Sequence, residues 1–362
     1  MRIRDACAER LASERAALTK FRASGGKVAG YTCNAFPAAV LAGSGLWPVR
    51  VLCGTSSDSE SAGEKIVRAD VCPLVKSLLG NVAEGKSLHA EIDLWIGLYT
   101  CDQMRRGMNC LSEQLGKEVH PVQLPATRTD DVAGYYAVQV KRLVSDIETR
   151  HNLPFDEKQS LYWTNEYNDA AKVLSQAARA GFISPLDIHA MFHLLFNSRP
   201  FGLARFFEKI IISSDAFRPE KTVVLTGSPL TLEDTVLLEE LENRGFGVIP
   251  LNCTGLNAVE YEKHVEIGDN TIESLALAAF HRPPCSRARP NTVVYERIKQ
   301  TITDTGAKGL IVKCMKFCDQ WYTERERMRR TFDIPVLVFD SDYAAGGRER
   351  LLSRIDAFLE ML

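Results

Sequence analysis

No stretch of these 362 residues is long and apolar enough to cross a bilayer, since none approaches the roughly 20 residues that a spanning helix needs. An excess of charge of one sign is missing too. The 44 lysines and arginines stand against 46 acidic residues, leaving a formal charge of −2 and an isoelectric point near 6.4, which gives no electrostatic reason to expect nucleic acid. The first 21 residues are rich in Arg, Glu and Ala at helical spacing. They lack both the apolar core and the small-residue cleavage site of a secretory signal, so a cytoplasmic protein is expected. There is no Gly-x-Gly-x-x-Gly, no low-complexity tract and no short repeat of fixed period. Cysteine is the exception to this plainness. The chain has ten, yet none forms the close pair of pairs that a structural zinc site uses. In a reducing compartment disulfides are rare, so metal binding or catalysis becomes the better explanation.

Six of the ten stand at the heads or ends of short apolar runs: Cys33, Cys72, Cys101, Cys253, Cys285 and Cys318. Each is expected where a strand ends, as in Gly-Tyr-Thr-Cys33, Tyr-Thr-Cys101-Asp, Leu-Asn-Cys253-Thr-Gly and Lys-Phe-Cys318-Asp. In an open parallel α/β sheet, ligands gather at the carboxyl ends of the strands. Distant thiols meeting there can surround a large, soft inorganic cofactor, and iron–sulfur clusters are held by thiolates.

At this length two or three domains are expected. From Lys27 to about Pro125, β-rich runs alternate with helical patterns, with strands at Val28–Tyr31, Val49–Cys53, Leu94–Tyr99 and around Val119–Val122. From Asp130 to Phe217 the pattern is helical throughout. The last third returns to β-α units. Its strands are Val223–Gly227, Val248–Asn252, Leu310–Lys313 and Val336–Asp340, apolar nearly throughout as parallel strands are. Thr231 is expected to cap a helix presenting Val236, Leu237 and Leu241, and residues 348–362 to form the closing helix. The expected plan is an N-terminal helix (1–26), a first α/β domain (27–129), a helical segment (130–218) and a second α/β domain (219–362). That makes two Rossmann-like, flavodoxin-like parallel sheets with a cleft between them, a common place for a ligand.

The motifs Gly30-Tyr-Thr-Cys-Asn-Ala-Phe-Pro37, Cys72-Pro-Leu-Val-Lys-Ser-Leu-Leu-Gly80, Thr100-Cys-Asp102, Cys253-Thr-Gly255, Lys316-Phe-Cys-Asp319, Ile334-Pro335 and Asp340-Ser-Asp-Tyr343 run in order along the chain, followed by the C-terminal Arg354–Leu362. Together they resemble the family of 2-hydroxyacyl-CoA dehydratases, ATP-dependent benzoyl-CoA reductases and their double-cubane relatives. The resemblance implies two α/β domains enclosing an iron–sulfur cluster. Cys72, Cys101 and Cys318 match cysteines that hold a [4Fe–4S] cubane, with one iron open to a small ligand. In the double-cubane branch two cubanes share a bridging sulfide ([8Fe–9S]), and Cys33, Cys253 and Cys285 are available for the second. Retention of Cys33 and of the Cys-Thr-Gly turn draws the chain toward that branch, whereas Lys-Phe-Cys-Asp looks more like the dehydratases. The resemblance further implies an ATP-hydrolysing [4Fe–4S] activator, a homodimer or a homologous second subunit, a small-molecule substrate and anaerobic metabolism. The enzyme would be either a reductase or a dehydratase component (a lyase). Two departures stand out: Ala38-Ala39 where the family usually carries an acidic residue, and Gly227-Ser-Pro229 where some relatives read Gly-Cys-Pro.

Other motifs have plainer readings. Cys7, Cys53, Cys110 and Cys314 read as core thiols. The pair Arg105-Arg106 reads as a solvated helix face, with coenzyme A phosphate as the sharper alternative. Gly80-Asn-Val-Ala-Glu-Gly-Lys-Ser87 has phosphate-loop spacing but follows a helical pattern where such a loop needs a strand. Of the seven histidines only His189 and His193 share a helical spacing, without the glutamate of a zinc protease, and they read as partly buried helix side chains. From a different class, a cluster-free α/β binding protein would carry these cysteines merely as core residues and purify colourless.

Overall fold

A computed structural model of the chain describes residues 2–52, 57–85, 87–263, 265–268, 271–342 and 348–362. Cys53, Lys86, His264 and Tyr343 lie outside the described residues. After α1 (Ile3–Ala23) come β1 (Val28–Tyr31), α2 (Ala39–Gly43), β2 (Trp47–Arg50), α3 (Ser57–Gly63), α4 (Pro73–Ala83), β3 (Leu94–Tyr99), α5 (Asp102–Glu113) and β4 (Glu118–Gln123). Four helices follow: α6 (Asp130–His151), α7 (Glu157–Ala180), α8 (Pro185–Asn197) and α9 (Leu203–Ile212). The last part contains β5 (Lys221–Gly227), α10 (Val236–Asn243), β6 (Phe246–Pro250), α11 (Leu256–Val259), α12 (Thr271–Phe280) and α13 (Thr292–Thr305). It ends with β7 (Gly309–Met315), α14 (Asp319–Tyr322), α15 (Arg325–Thr331), β8 (Val336–Ser341) and α16 (Arg348–Leu359).

The strands form two four-stranded sheets, wholly parallel, ordered β2-β1-β3-β4 and β6-β5-β7-β8. The fold is therefore α/β with two flavodoxin-like sheets, and the two halves share one strand order. β1, β6 and β7 are buried along their whole length, because helices cover both faces of each sheet. In each sheet the order reverses between the first and third strands, so a crevice opens at their carboxyl ends.

β2 begins two residues and ends three residues earlier than its hydrophobic run indicates, and β6 begins and ends two residues earlier. Pairing sets these ends: β2 lies against β1 from Trp47 to Arg50, and β6 against β5 from Phe246 to Pro250. α10 is entered through Thr235, whose hydroxyl bonds Glu239 at 2.6 Å, and not through Thr231, which is buried four residues before. The middle helices follow local rules. Asp156 accepts from the Gln159 amide at the start of α7, and Ser184 from Asp187 at the start of α8, where Pro185 occupies the first turn. α6 buries Tyr136, Val140, Leu143, Val144 and Ile147 on one stripe. Its Tyr136 hydroxyl donates to the Ala35 carbonyl at 2.8 Å, which fixes the loop after β1.

Candidate functional site

Four of the six cysteines follow strands: Cys33 after β1, Cys101 after β3, Cys253 after β6 and Cys318 after β7. Cys72 and Cys285 correct the expectation, since both come off helical connections and not off strands. Cys72 is the residue before α4, and Cys285 lies in the loop between α12 and α13. Residues near β3 hold Cys72 in place, its amide donating to Gln103 Oε1 at 3.4 Å. The same tripeptide, Cys-Asp-Gln, opens α5 after the third strand of the first sheet and α14 after the third strand of the second. The internal likeness of the halves thus extends to their thiols.

The six thiols form a connected electrostatic set. Burial pushes Cys72 up to about 12, with Cys318 and Cys101 adding to it. Burial pushes Cys318 up to about 11, with further contributions from Cys101 and Cys285. Cys253 reaches about 12 through burial, with Cys33 and Cys285 raising it and Arg50 opposing. Cys33 and Cys101 are also raised by burial first, and Cys285 acts on both. Cys72, Cys101 and Cys318 thus bear on one another, Cys33 bears on Cys253, and Cys285 bears on Cys101 and Cys318 as well as on Cys33 and Cys253. All six side chains keep part of their surface open while deep among protein atoms, as residues lining a cleft wall do.

Backbone N–H groups point at these sulfurs. The Met104 amide donates to Cys101 Sγ at 3.4 Å and the Ala35 amide to Cys33 Sγ at 3.5 Å. The amides of Leu74 and Val75 serve Cys72, and those of Gln320 and Trp321 serve Cys318. Such donors lower the cost of a thiolate. The walls are tied together across the cleft. Arg50 Nη2 donates to the Cys253 carbonyl at 2.7 Å, Asn34 Nδ2 to the Asn257 carbonyl at 2.7 Å, and Arg287 to the Leu124 and Pro125 carbonyls at 3.1 and 2.8 Å.

Which group would this set suit? None of the nine described cysteines is in a disulfide. A single zinc with bonds of about 2.3 Å would draw its sulfurs to roughly 3.8 Å from one another. Among the described residues, no three of these sulfurs lie within 4.8 Å of one another. That spacing does not match a single zinc ion held by three of these thiols. Buried donors around it lack partners: Thr32 Oγ1 beside Cys33, Ser286 Oγ beside Cys285, and Arg50 Nε and Nη1. Arg50 is 2% exposed and stacks over Phe196 at 4.5 Å. Soft ligands around a set of orphaned donors can hold a cluster whose sulfides accept hydrogen bonds.

A cavity of about 770 Å³ adjoins the thiols through Asn34 and Arg50 and runs to Tyr31, Tyr167, Glu260 and Arg282. Arg282 stands 4.6 Å from the Tyr261 ring centroid and 5.4 Å from that of Tyr167. Glu260 is held by Ser175, Arg179 and Arg297, which keep its carboxyl below the usual range although burial works the other way. Ala38 and Ala39 line the same cavity. Ser228, in the Gly-Ser-Pro turn, accepts from the Met315 amide at 2.9 Å and so locks the start of the loop that carries Cys318. In that loop Phe317 is exposed with φ +59°, a conformation unusual for a bulky side chain.

The remaining candidates fall outside the cleft. Cys7 and Cys314 are buried, Cys314 against the Trp321 carbonyl, and Cys110 is half-buried near Glu113 and Gln114. Arg105 and Arg106 both bond Asp102 on an exposed face. The residues with phosphate-loop spacing begin inside α4, where a side chain on Gly80 would meet the Ser59 carbonyl at 2.0 Å. His189 and His193 are buried, and their Nε2–H groups donate to the Leu232 and Leu230 carbonyls. Their spacing had a helical cause, whereas His120 and His151, with no spacing at all, meet around Glu118.

Comparison with known proteins agrees with the thiol pattern. The family described as 2-hydroxyglutaryl-CoA dehydratase, D-component, matches residues 33–362. The chain is 25% identical over 334 residues to the putative dehydratase subunit YjiM of Escherichia coli (strain K12), covering 86% of this chain and 85% of that protein.

Proposed function

This chain belongs to the 2-hydroxyglutaryl-CoA dehydratase D-component family, and on that premise we propose that it is an iron–sulfur enzyme reducing a small substrate at a double-cubane [8Fe–9S] cluster. Its low-potential electrons would come from an ATP-hydrolysing [4Fe–4S] activator. The observation that supports this reading is that six thiols from both halves of the chain, four of them directly after strands, bear on one another, with backbone amides directed at the sulfurs of Cys33, Cys72, Cys101 and Cys318. Cys72, Cys101 and Cys318 would hold one cubane, and Cys33, Cys253 and Cys285 the other. When bound, the cluster supplies stored electrons and an iron with a replaceable ligand.

The chain's own residues do the rest. Arg50, Thr32 and Ser286 offer hydrogen bonds to acceptors in the cleft, and Arg50 adds a positive charge beside Cys33 and Cys253. Asn34, Tyr31 and Arg282 are placed to bind and orient a substrate in the adjoining cavity, whose volume suits a small organic molecule. Phe317, exposed next to Cys318, gives an activator an apolar contact close to the thiols.

A second reading is favoured by the names of the matched family and relative. In it the chain is one subunit of a 2-hydroxyacyl-CoA dehydratase, with a single [4Fe–4S] cubane on Cys72, Cys101 and Cys318 and an electron used catalytically to remove water. Anaerobic iron and sulfide quantification separates the two. About eight irons per chain in a self-sufficient homodimer is expected for the first reading, and about four with a homologous second subunit for the other. A colourless, iron-free protein from anaerobic purification would overturn both.

A further inference from the structure

At the end of the first sheet opposite the thiols, three donor atoms meet that the cleft does not use. Glu118 and His120 are two residues apart in β4, so their side chains share a face. His151 is the last residue of α6, which packs against that strand. Glu118 Oε1 lies 2.8 Å from His120 Nε2 and 2.9 Å from His151 Nε2. Among the described residues these form the one group of three potential ligand atoms within 4.8 Å of one another. His120 pairs with Ile96 in the sheet, and Cys101 lies five residues beyond Ile96. At about 3.3 Å per residue the two sites are on the order of 15 Å apart.

We infer that Glu118, His120 and His151 bind one divalent cation of the zinc class, through two imidazole nitrogens and a carboxylate oxygen, with a further position left to water. This site is independent of the reading of the cleft. Two imidazoles and a carboxylate are the donor set of a three-ligand zinc site with an open position. Bonds of about 2.0–2.1 Å in tetrahedral geometry set the donors roughly 3.3 Å apart, so the two distances from Glu118 Oε1 need to widen by about half an ångström, and the two imidazole nitrogens already lie within 4.8 Å of each other. The histidine side chains are 4% and 7% exposed, so packing already holds both rings.

The surroundings favour a cation as well. Asp146 Oδ2 stands 3.8 Å from His120 Nδ1, beyond hydrogen-bond range, and adds a negative charge on the side of the ring away from Glu118. The carbonyl end of the 22-residue α6 lies at His151, and the helix dipole is negative there. Lys27 Nζ is 2.9 Å from His151 Nδ1. When Nε2 binds the metal, Nδ1 takes the ring proton, and the exposed Lys27 turns to solvent. The bound ion ties the edge strand β4 to the end of α6.

The test uses cluster-loaded protein, freed of loose metal on a chelating resin and titrated with zinc ion alone. One zinc per chain and a raised unfolding midpoint are expected. Zinc K-edge absorption should show nitrogen and oxygen neighbours at about 2.0–2.1 Å and no sulfur near 2.3 Å. His151→Ala and, separately, Glu118→Gln should each weaken zinc binding at least tenfold and leave iron content unchanged. Failure to bind zinc, a sulfur shell, or unchanged affinity in either folded variant would overturn the proposal. If a variant does not fold, the wild-type spectrum decides alone.

Discussion

Replacing Arg50 by Met separates the role of this side chain in the bare fold from its role toward a bound cluster. In the cluster-free protein Arg50 makes one charge-assisted bond, to the Cys253 carbonyl at 2.7 Å, and one stacking contact with Phe196. Those are worth about 1.5–3 and about 0.5–2 kcal/mol. Against them stand two buried donors without partners, Nε and Nη1, each costing about 1–3 kcal/mol. The sums are comparable, so Arg50→Met should leave the unfolding free energy of the cluster-free protein within about 1 kcal/mol of wild type. Once a cluster is bound, the orphaned donors and the charge have an acceptor, and nothing offsets the loss. The variant should then lose about 2–5 kcal/mol of stability, and iron retention against a chelator should fall on the order of 100-fold, since each 1.4 kcal/mol is a factor of ten. Anaerobic denaturant titrations of loaded and stripped protein measure both quantities. Equal destabilisation of the two forms would show that Arg50 is a structural residue only, and the reasoning from its unpartnered nitrogens would be wrong.

Cys101→Ala should remove about half the iron under the double-cubane reading and all of it under the single-cubane one, Cys253→Ala should remove about half under the first and none under the second, and Cys110→Ala should leave iron unchanged; metal analysis of the three variants reads this directly. Stripped protein should weaken in alkali. Cys72 and Cys253 at about 12 and Cys318 at about 11 stay protonated in the fold while the unfolded thiols ionise, so stability falls as pH rises above about 8.5, by about 1.4 kcal/mol per unit per thiol. Acid should weaken both forms, because burial holds His189 down to about 4. The unfolded chain takes up its proton first as pH drops below about 6.5, costing roughly 3 kcal/mol by pH 4; an unfolding midpoint indifferent to pH across that range would contradict the assigned burial. Gly227→Ala puts a methyl 2.1 Å from the Lys313 carbonyl at φ +108°, so soluble yield and iron content should both fall, whereas Gly134→Ala, with open space around it, should be tolerated.

The sequence alone determined the secondary elements whose causes are local. β1 and β3 agree with their apolar runs to the residue, because buried parallel strands are apolar throughout and end where Thr, Cys and turn residues begin. The helical middle follows from its stripes and caps. Four of the six cysteines follow strands as their apolar runs indicated, and the order of motifs pointed to the family.

Tertiary structure decided what depends on pairing and on distance. The ends of β2 and β6 follow from their pairing with β1 and β5, and Cys72 and Cys285 stand on helical connections that no apolar run marks. That Cys285 bears on thiols of both halves is decided by tertiary packing, as are the unpartnered nitrogens of Arg50, an ordinary strand residue in the sequence. Glu118 and His151 are separated by a strand end, a loop and a 22-residue helix, so only packing α6 onto β4 brings the histidines and the carboxylate together. Local spacing encodes which face a side chain takes; which distant faces meet is set by burial of the helices and sheets against one another.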